Sequence, residues 1–358
     1  MYIPTQTRFR FAKNAALLDS VSCVATQYLR QVLAFFESLL MDYTICTTYQ
    51  EQRSVSQIPK INREEKRFGM IDLHMHSRYS DDGEYTPSEL VEQCAGAGVR
   101  VMSVTDHNCA KANEEAQRAA KEKGIRYIPG IEIDCTYQKV NFHVLGYGID
   151  YWSSAFEAIE KNVADQSAQA SLERLSKTRA LGFTMLMEKE MQALSENNYW
   201  KRTWTGEMFA EALLAMPEYT DHPLLSPYRP GGARSDNPYV NFYWDYYSQG
   251  KPCYAKTDFP AMEEIIDTIH RNRGMAVLAH PGVNLKGKET LLENILRLGM
   301  DGIEAFSSYH SPEQAEKFYS AAKAHRVFVT CGSDYHGKTK PSIAIGQHGC
   351  TVSINLDF

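Results

Sequence analysis

The feature that most restricts the fold is a series of seven short apolar segments, separated by stretches with helical periodicity. Each segment reads as a buried strand, and several end in a histidine or a carboxylate. The seven are MIDLHMH (70–76), VRVMSVTDH (99–107), IRYIPGIEI (125–133), NFHVLGYGI (141–149), MAVLAHP (275–281), DGIEAF (301–306) and VFVTCGSD (327–334). Between them, TPSE (86–89) and SPEQ (311–314) carry the N-cap residue, proline and capping-box side chain typical of a helix start. Strands that alternate with helices predict an α/β fold with a parallel sheet, and a barrel would bring the C-terminal strand ends into one site.

The chain divides into three regions of different character. The strand segments occupy residues 70–150 and 259–358, which we interpret as one domain. Residues 151–258 interrupt that domain with an aromatic-rich block, which we predict to be a helical insertion that covers the substrate. Residues 1–69 differ from both and are predicted to be an N-terminal extension.

The N-terminal extension contains one helical pattern and then becomes polar. Residues 16–41 place apolar side chains near one face, which predicts an amphipathic helix. Asp19 and Arg30 interrupt its apolar run, which argues against a signal peptide or a membrane span. Because Met70 directly precedes the first strand, we hypothesise that translation begins there and that residues 1–69 are not part of the native fold.

The overall charge argues against a protein that binds long nucleic acid through a general positive field. The sequence carries 38 Lys and Arg against 44 Asp and Glu, a formal net charge of −6. Counterion release alone would therefore not bind a polyanion to the protein surface. Such a substrate would be attracted locally, and bound cations would supply the charge. We expect a small phosphorylated substrate, a nucleotide or short oligonucleotide, and neither a membrane nor an obligate protein partner.

The cysteines do not form a recognisable motif. No two of the eight are spaced by two to four residues, so neither a zinc ribbon nor a C-x-x-C redox site is indicated. We interpret them as reduced thiols of a cytoplasmic protein. The histidines outside the strand ends are interpreted as ordinary surface residues; they are His222, His270, His310, His325 and His348.

The remaining histidines and three carboxylates predict a metal site at the strand ends. His74 and His76 lie two residues apart on one strand, so their side chains leave the same face and can reach one cation. Imidazole nitrogen and carboxylate oxygen without thiolate suit Zn, Mn or Fe. Nine candidates exceed the need of one ion, so two or three divalent metal ions are expected, with Glu132 as a bridge. The candidates are His74, His76, Asp81, His107, Glu132, His143, His280, Asp334 and His336.

Six motifs, taken in order, resemble the PHP (polymerase and histidinol phosphatase) family of phosphate-ester hydrolases. The motifs are IDLHMHSRYSDDG, VTDHN, PGIEI, NFHVLGYG, LAHPG and CGSDYHG. The resemblance implies a distorted (β/α)7 barrel of seven parallel strands with a trinuclear metal site. The implied ligands are His74, His76, Glu132 and Asp334 for the first metal, Asp81, His107 and His336 for the second, and Glu132, His143 and His280 for the third. Within this set, His107, Glu132 and Asp334 are also predicted to be catalytic.

The insertion is similar to that of the family branch of nucleoside 3',5'-bisphosphate phosphatases and 5'-to-3' exonucleases. GEMFAEALLA and YYSQGKPCYAK follow the branch's pattern. Where the branch usually has Arg-Pro-His, however, this chain has Gly206, Glu207 and Met208, and that departure leaves the exact substrate open.

Several side chains are candidates for contacts with a nucleotide. Aromatic rings of the insertion can stack a base and its cations can meet phosphate, although aromatic residues also build ordinary cores, the interpretation we favour for any single one. These candidates are Trp152, Trp200, Trp204, Trp244, Lys201, Arg202, Arg229 and Arg234. Arg78 is predicted to be catalytic through a bidentate phosphate contact. Asp106 is expected to orient a ligand, and Asp82 to be a turn residue before Gly83.

The leading hypothesis is hydrolysis of phosphate esters of nucleotides or of nucleic-acid 5' ends by a metal-bridging hydroxide. Three alternatives stay open at this point. The first is a histidinol-phosphate-type phosphatase. The second is an amidohydrolase-like metal hydrolase, which would favour eight strands and a carboxylated lysine where Glu132 stands. The third is a catalytically silent metal-binding module.

Overall fold

A computed structural model describes residues 70–356. The predicted helix at 16–41 and the proposed extension 1–69 lie outside this range. The described residues contain eight strands, β1 (Met70–Asp72), β2 (Val99–Met102), β3 (Arg126–Tyr127), β4 (Gly130–Tyr137), β5 (Val140–Tyr147), β6 (Met275–Leu278), β7 (Gly302–Ser307) and β8 (Phe328–Gly332). Each of the seven predicted segments contributes to them, and β3 begins in the same segment as β4.

The strands form two sheets. One is parallel, in the order β1-β2-β3, and the other has five strands in the order β4-β5-β6-β7-β8. In the second sheet β5 runs antiparallel to β4 and β6, whereas β6, β7 and β8 are parallel. The predicted α/β class is confirmed, but the all-parallel arrangement is wrong at β5.

The reason for the antiparallel strand is the connection between β4 and β5. It consists of Gln138 and Lys139, both at positive φ, 47° and 66°. Two residues in this conformation form a tight hairpin, and so short a connection permits only antiparallel pairing. Neither residue is the glycine or asparagine that usually marks such a turn in a sequence.

Isolated bridges connect the two sheets through residues that follow β1, β2 and β8 and, in one case, through a residue of β4. Met75 pairs with Tyr335, and His107 pairs with Glu132. The Glu132 N–H also donates to the carbonyl of Asp106 at 3.2 Å. The backbone itself therefore brings together the segments that follow β1, β2 and β8, which carry the predicted ligands.

Ten α-helices lie within the described range. They are α1 (Pro87–Ala97), α2 (Ala112–Lys123), α3 (Ser154–Ala180), α4 (Glu188–Ser195), α5 (Gly206–Ala215), α6 (Pro238–Tyr246), α7 (Met262–Arg271), α8 (Pro281–Asn284), α9 (Leu292–Leu296) and α10 (Pro312–His325). Both predicted helix starts are confirmed. Thr86 accepts the Glu89 N–H at 3.2 Å while the Glu89 carboxylate accepts the Thr86 N–H at 2.8 Å, and Ser311 and Gln314 repeat the arrangement. None of these helices is both long and apolar enough to cross a membrane.

Apolar packing fixes the helices on the sheets. Ile265, Ile266 and Ile269 lie on one face of α7, are all buried, and belong to the cluster that covers β4, β5 and β6. Burial of each isoleucine contributes about 1.5–3 kcal/mol. Helices α3 to α6 have an apolar cluster of their own, in which the rings of Phe209 and Tyr247 stack with centroids 5.2 Å apart. The segment between β5 and α7 therefore packs around a separate core.

Candidate metal centre

The centre is organised around the fully buried carboxylate of Glu132. Its Oε2 lies 2.9 Å from Nε2 of His74 and 3.1 Å from Nε2 of His76. Its Oε1 lies 2.9 Å from Nδ1 of His143 and 3.0 Å from Nε2 of His280. Each carboxylate oxygen thus faces a different pair of imidazoles, the arrangement that a bridging ligand requires.

Asp334 completes the first group of ligands. Its Oδ1 lies 3.2 Å from Nε2 of His74 and 3.1 Å from Nε2 of His76, and those two nitrogens are 3.1 Å apart. Asp334 has a φ of 57°, in the left-handed region that is strained for a residue other than glycine. The local backbone therefore holds this carboxylate against the two imidazoles at a conformational cost.

Glu304 orients His74 through the Nδ1 side of the ring, opposite the nitrogen that faces Glu132. This fully buried carboxylate places Oε1 2.9 Å from Nδ1 of His74, while its Oε2 accepts the backbone N–H of His280 at 2.8 Å. If the Nδ1 proton points to Glu304, the Nε2 lone pair faces the centre, the usual arrangement for a metal-binding imidazole. The sequence prediction missed Glu304, although an acidic residue inside the apolar strand segment DGIEAF is a visible signal.

A second group contains His76, Asp82, His107 and His336, whose ligand atoms lie within 4.8 Å of one another. Within the described range, Nδ1 of His107 and Nε2 of His336 are buried and have no hydrogen-bond partner, although the latter is 3.1 Å from Oδ2 of Asp82. Buried polar atoms are normally hydrogen-bonded. Two such atoms aimed at carboxylates fit a bound cation.

The structure places Asp82, rather than the predicted Asp81, in this group. A Cβ on Gly83 would lie 2.0 Å from the carbonyl oxygen of Ser77, so only glycine lets the loop fold back this tightly and direct Asp82 towards His336. Asp81 instead lines the neighbouring cavity, where burial and the Asp82 carboxylate raise its pKa well above the ordinary value. The glycine directly after Asp82 was the signal in the sequence.

The third group consists of His107, Glu132 and His143. The Nε2 atom of His280 approaches Oε1 of Glu132, the same oxygen that His143 approaches. Asp134 was not predicted, yet its Oδ1 lies 3.0 Å from Nε2 of His143 and its Oδ2 accepts a hydrogen bond from Asn108 at 2.7 Å. Asp134 therefore orients the His143 ring. Asp106 accepts from the backbone and hydroxyl of Ser77, at 2.5 and 2.7 Å, rather than from a predicted ligand.

The protonation states follow from the balance of burial and charge. Burial alone would lower the pKa of His74, but Glu132 and Glu304 outweigh it, and the net pKa lies well above the ordinary value. For His143, burial would likewise lower the pKa, but the Glu132 carboxylate outweighs burial and the net pKa is raised. Burial would raise the pKa of Glu132, but the surrounding imidazoles hold it well below its usual range. In the metal-free protein a charged carboxylate is thus neutralised by protonated imidazoles.

Lys340 adds a buried cation that the sequence analysis did not identify. Its Nζ donates to Oδ2 of Asp334 at 2.6 Å and lies 5.3 Å from the ring centroid of Tyr309. Burial would lower its pKa, but Asp334 outweighs that effect and the net shift is upward. The ammonium group is therefore charged and faces the centre.

A cavity of about 310 Å³ opens beside the three groups. Helices α3, α5 and α6 contribute Arg174, Glu207, Tyr243 and Trp244 to its wall. Glu207 comes from the stretch that departs from the family branch. Burial is the larger cause, and together with the Asp82 carboxylate it raises the pKa of Glu207 to about 7. The residues 151–258 thus form one side of the cavity.

The other nucleotide-contact candidates lie elsewhere. Arg78 is exposed, does not line the cavity and has its guanidinium 5.8 Å from the Tyr79 ring centroid. Trp200 and Trp204 are buried, as expected for core residues, and Trp152 is 67% exposed. The remaining cations are exposed or already engaged: Lys201 and Arg202 face solvent, Arg229 donates to backbone carbonyls and Arg234 pairs with Asp245. The sequence analysis also missed Arg174, because no motif near it in helix α3 distinguishes it from other arginines.

Comparisons with known proteins show which family and which relatives the chain is similar to. A family model described as PHP domain matches residues 72–221. The chain is 30% identical over 281 residues to a 3',5'-nucleoside bisphosphate phosphatase of Chromobacterium violaceum, covering 77% of this chain and 90% of that protein. It is 28% identical over 286 residues to the 5'-3' exoribonuclease Rnm of Escherichia coli, covering 78% and 88%. A solved amidohydrolase structure from C. violaceum, with bound sulfate, superposes with a TM-score of 0.63 at 27% identity, over 75% of this chain and 87% of that one.

The neighbouring aspartates provide a matched test of the ligand assignment. We expect Asp82→Asn to weaken Mn²⁺ binding by about 10-fold or more, because it removes a charged oxygen beside His336. Asp81→Asn should keep the wild-type metal content. Equilibrium dialysis with metal analysis measures both, and equal losses in the two variants, or a larger loss for Asp81→Asn, would contradict the structural placement.

Proposed function

The chain belongs to the PHP family and is a metal-dependent phosphoesterase, and from that premise we propose that it hydrolyses a terminal phosphate ester of a nucleotide or short oligonucleotide. Support comes from one observation above all. The Glu132-centred groups lie against a cavity whose wall combines cations with aromatic rings. That combination suits a phosphate attached to a base.

We assign two or three divalent cations, with Mn, Zn or Fe as candidates, to the three groups of ligands. His74, His76, Glu132 and Asp334 would hold the first, His76, Asp82, His107 and His336 the second, and His107, Glu132, His143 and His280 the third. Such cations, when bound, supply a nucleophile at neutral pH and offset the charge of the phosphate. The protein's part is to fix their positions through the buried Glu132 bridge and the orienting carboxylates Glu304 and Asp134.

Three cations of the chain line the cavity together with five carboxylates, so bound metal ions would be needed to make the cavity positive. Lys340 faces the centre through Asp334, and Arg174 and Lys288 line the wall. Arg174 also donates one guanidinium nitrogen to the carbonyl of Trp204 at 3.0 Å, which fixes its direction. We propose that Arg174 and Lys340 bind phosphate oxygens by charge-assisted hydrogen bonds.

We also propose that residues 151–258 act as a substrate cap on a single barrel formed by residues 70–150 and 259–358. The two sheets, linked by their isolated bridges, would make a closed ring of seven segments in which β3 and β4 count as one interrupted strand. The cap would place Tyr243 and Trp244 against the base. Residues 1–69 remain an extension in this proposal.

The function is tested by product release from three substrates with Mn²⁺-loaded protein. We expect phosphate from a 3',5'-bisphosphonucleotide, or mononucleotide from a 5'-phosphorylated oligonucleotide, and little turnover of histidinol phosphate. Turnover should be lost in Glu132→Gln, because one oxygen can no longer carry the bridging charge. The preferred nucleotide decides between phosphatase and exonuclease, while turnover of histidinol phosphate alone would overturn the nucleotide assignment.

The cap proposal is tested by a matched pair of arginine variants. Arg174→Ala should raise KM for the preferred nucleotide by about 10- to 100-fold, since a lost hydrogen bond to a charged group costs about 1.5–3 kcal/mol. Arg100→Ala, which removes an exposed arginine of β2, should leave KM unchanged. Steady-state kinetics measures both, and an unchanged KM in Arg174→Ala would refute its role in binding phosphate.

A further inference from the structure

Cys331, His348 and Cys350 form a second cluster of metal-binding side chains. The two Sγ atoms and a ring nitrogen of the histidine all lie within 4.8 Å of one another. Cys331 belongs to β8, and the other two residues belong to the C-terminal segment that follows it. The 18 intervening residues explain why spacing along the sequence did not reveal the pair of thiols.

This cluster lies away from the phosphoesterase centre. Successive residues of a strand point to opposite faces, and a Cβ on Gly332 would lie only 2.2 Å from the Cβ of His74. The adjacent Cys331 therefore points to the other face of β8. There it packs in the outer apolar cluster, against which Cys350 and Val352 of the C-terminal segment also pack.

The hydrogen bonds of His348 leave one nitrogen suited to a metal. Its Nε2 lies 2.7 Å from the carbonyl oxygen of Ile71, which can only accept, so Nε2 carries the proton. Nδ1 then has a lone pair, which accepts the backbone N–H of Cys350 at 3.2 Å, and a metal ion would replace this hydrogen bond. An imidazole that donates its second N–H to a backbone carbonyl is typical of metal-binding histidines.

The thiols have only weak partners of their own. The Sγ of Cys331 lies 3.9 Å from the carbonyl oxygen of Ile71, and the Sγ of Cys350 lies 3.4 Å from that of Val352. Both sulfurs can therefore turn to a common ligand without giving up a strong hydrogen bond.

We propose that Cys331, His348 and Cys350 bind a thiophilic divalent cation, Zn²⁺ in the first place, at a site separate from the phosphoesterase centre. Two thiolates and one imidazole match the ligands that zinc prefers, with water in a fourth position. On binding, the two thiols release two protons and no oxidation takes place. A disulfide between the cysteines is the competing outcome, but it would not use the imidazole of His348, which lies beside both sulfurs.

Such an ion would fasten the C-terminal segment to the barrel. The segment is already held against the end of β1, because Asp72 accepts the Gly346 N–H at 2.7 Å and the Ser333 N–H at 2.9 Å. A cation that binds the folded chain alone adds stability by mass action. We therefore expect the ion to stabilise the folded chain.

Cobalt substitution distinguishes this site from the phosphoesterase centre, whose three ligand groups contain no cysteine. Titrating the reduced full chain with Co²⁺ should produce the near-ultraviolet charge-transfer absorption of a thiolate–cobalt bond, with a final intensity that corresponds to one thiolate-bound cobalt per chain. The absorption should persist in Glu132→Gln and in the control Cys253→Ser, which alters a buried thiol of the insertion core. It should disappear in Cys350→Ser, with phosphoesterase turnover retained as evidence of folding.

Two results would overturn the proposal. One is Co²⁺ binding to the reduced chain without any thiolate absorption. The other is a chain isolated without reductant that has lost two free thiols and two hydrogens in intact mass, and that shows no thiolate absorption after reduction. Neither result depends on ester turnover, so failure of the zinc site and failure of the proposed function are separable.

Discussion

The structure depends on one electrostatic constraint, the burial of the Glu132 carboxylate without access to water. A buried charge is costly unless it is paired and hydrogen-bonded. Here five imidazoles from four segments of the chain approach its two oxygens, four of them at 2.9 to 3.1 Å and His107 at 3.5 Å. The strands must end where they do for those imidazoles to converge. The same carboxylate therefore links the fold to the chemistry, because cations can replace the protons that neutralise it.

The sequence predicts the parts of the site that lie on strands or directly follow them. Strand periodicity places His74 and His76 on one face, and the convergence of strand ends in a barrel puts Glu132 near them; the structure brings these residues together. The sequence does not determine which residue of a loop enters the site, and a shift of one residue exchanges Asp81 for Asp82. Nor does it identify groups that act through another residue, such as Glu304 inside an apolar strand. Lys340 lies beyond the last motif, and no pattern in the sequence identifies it.

The fold was predictable to the same extent. Seven apolar segments and two capping boxes appear where the sequence indicates them, because burial and local hydrogen bonds determine both. The direction of β5 was not predictable from its apolar pattern, which is the same for either direction. It follows from two positive-φ residues, Gln138 and Lys139, neither of which is a usual hairpin residue. The position of Arg174 on the cavity wall likewise depends on packing within the insertion.

The most direct test of the central claim is a Mn²⁺ titration by calorimetry in buffers of different ionisation enthalpy. If imidazole protons neutralise Glu132 in the metal-free protein, loading at neutral pH must release protons to the buffer. The release should fall as the pH is raised through the elevated pKa values of His74 and His143, since they then lose their protons before metal arrives. Mn²⁺ binding whose heat is independent of the buffer at neutral pH would contradict the claim.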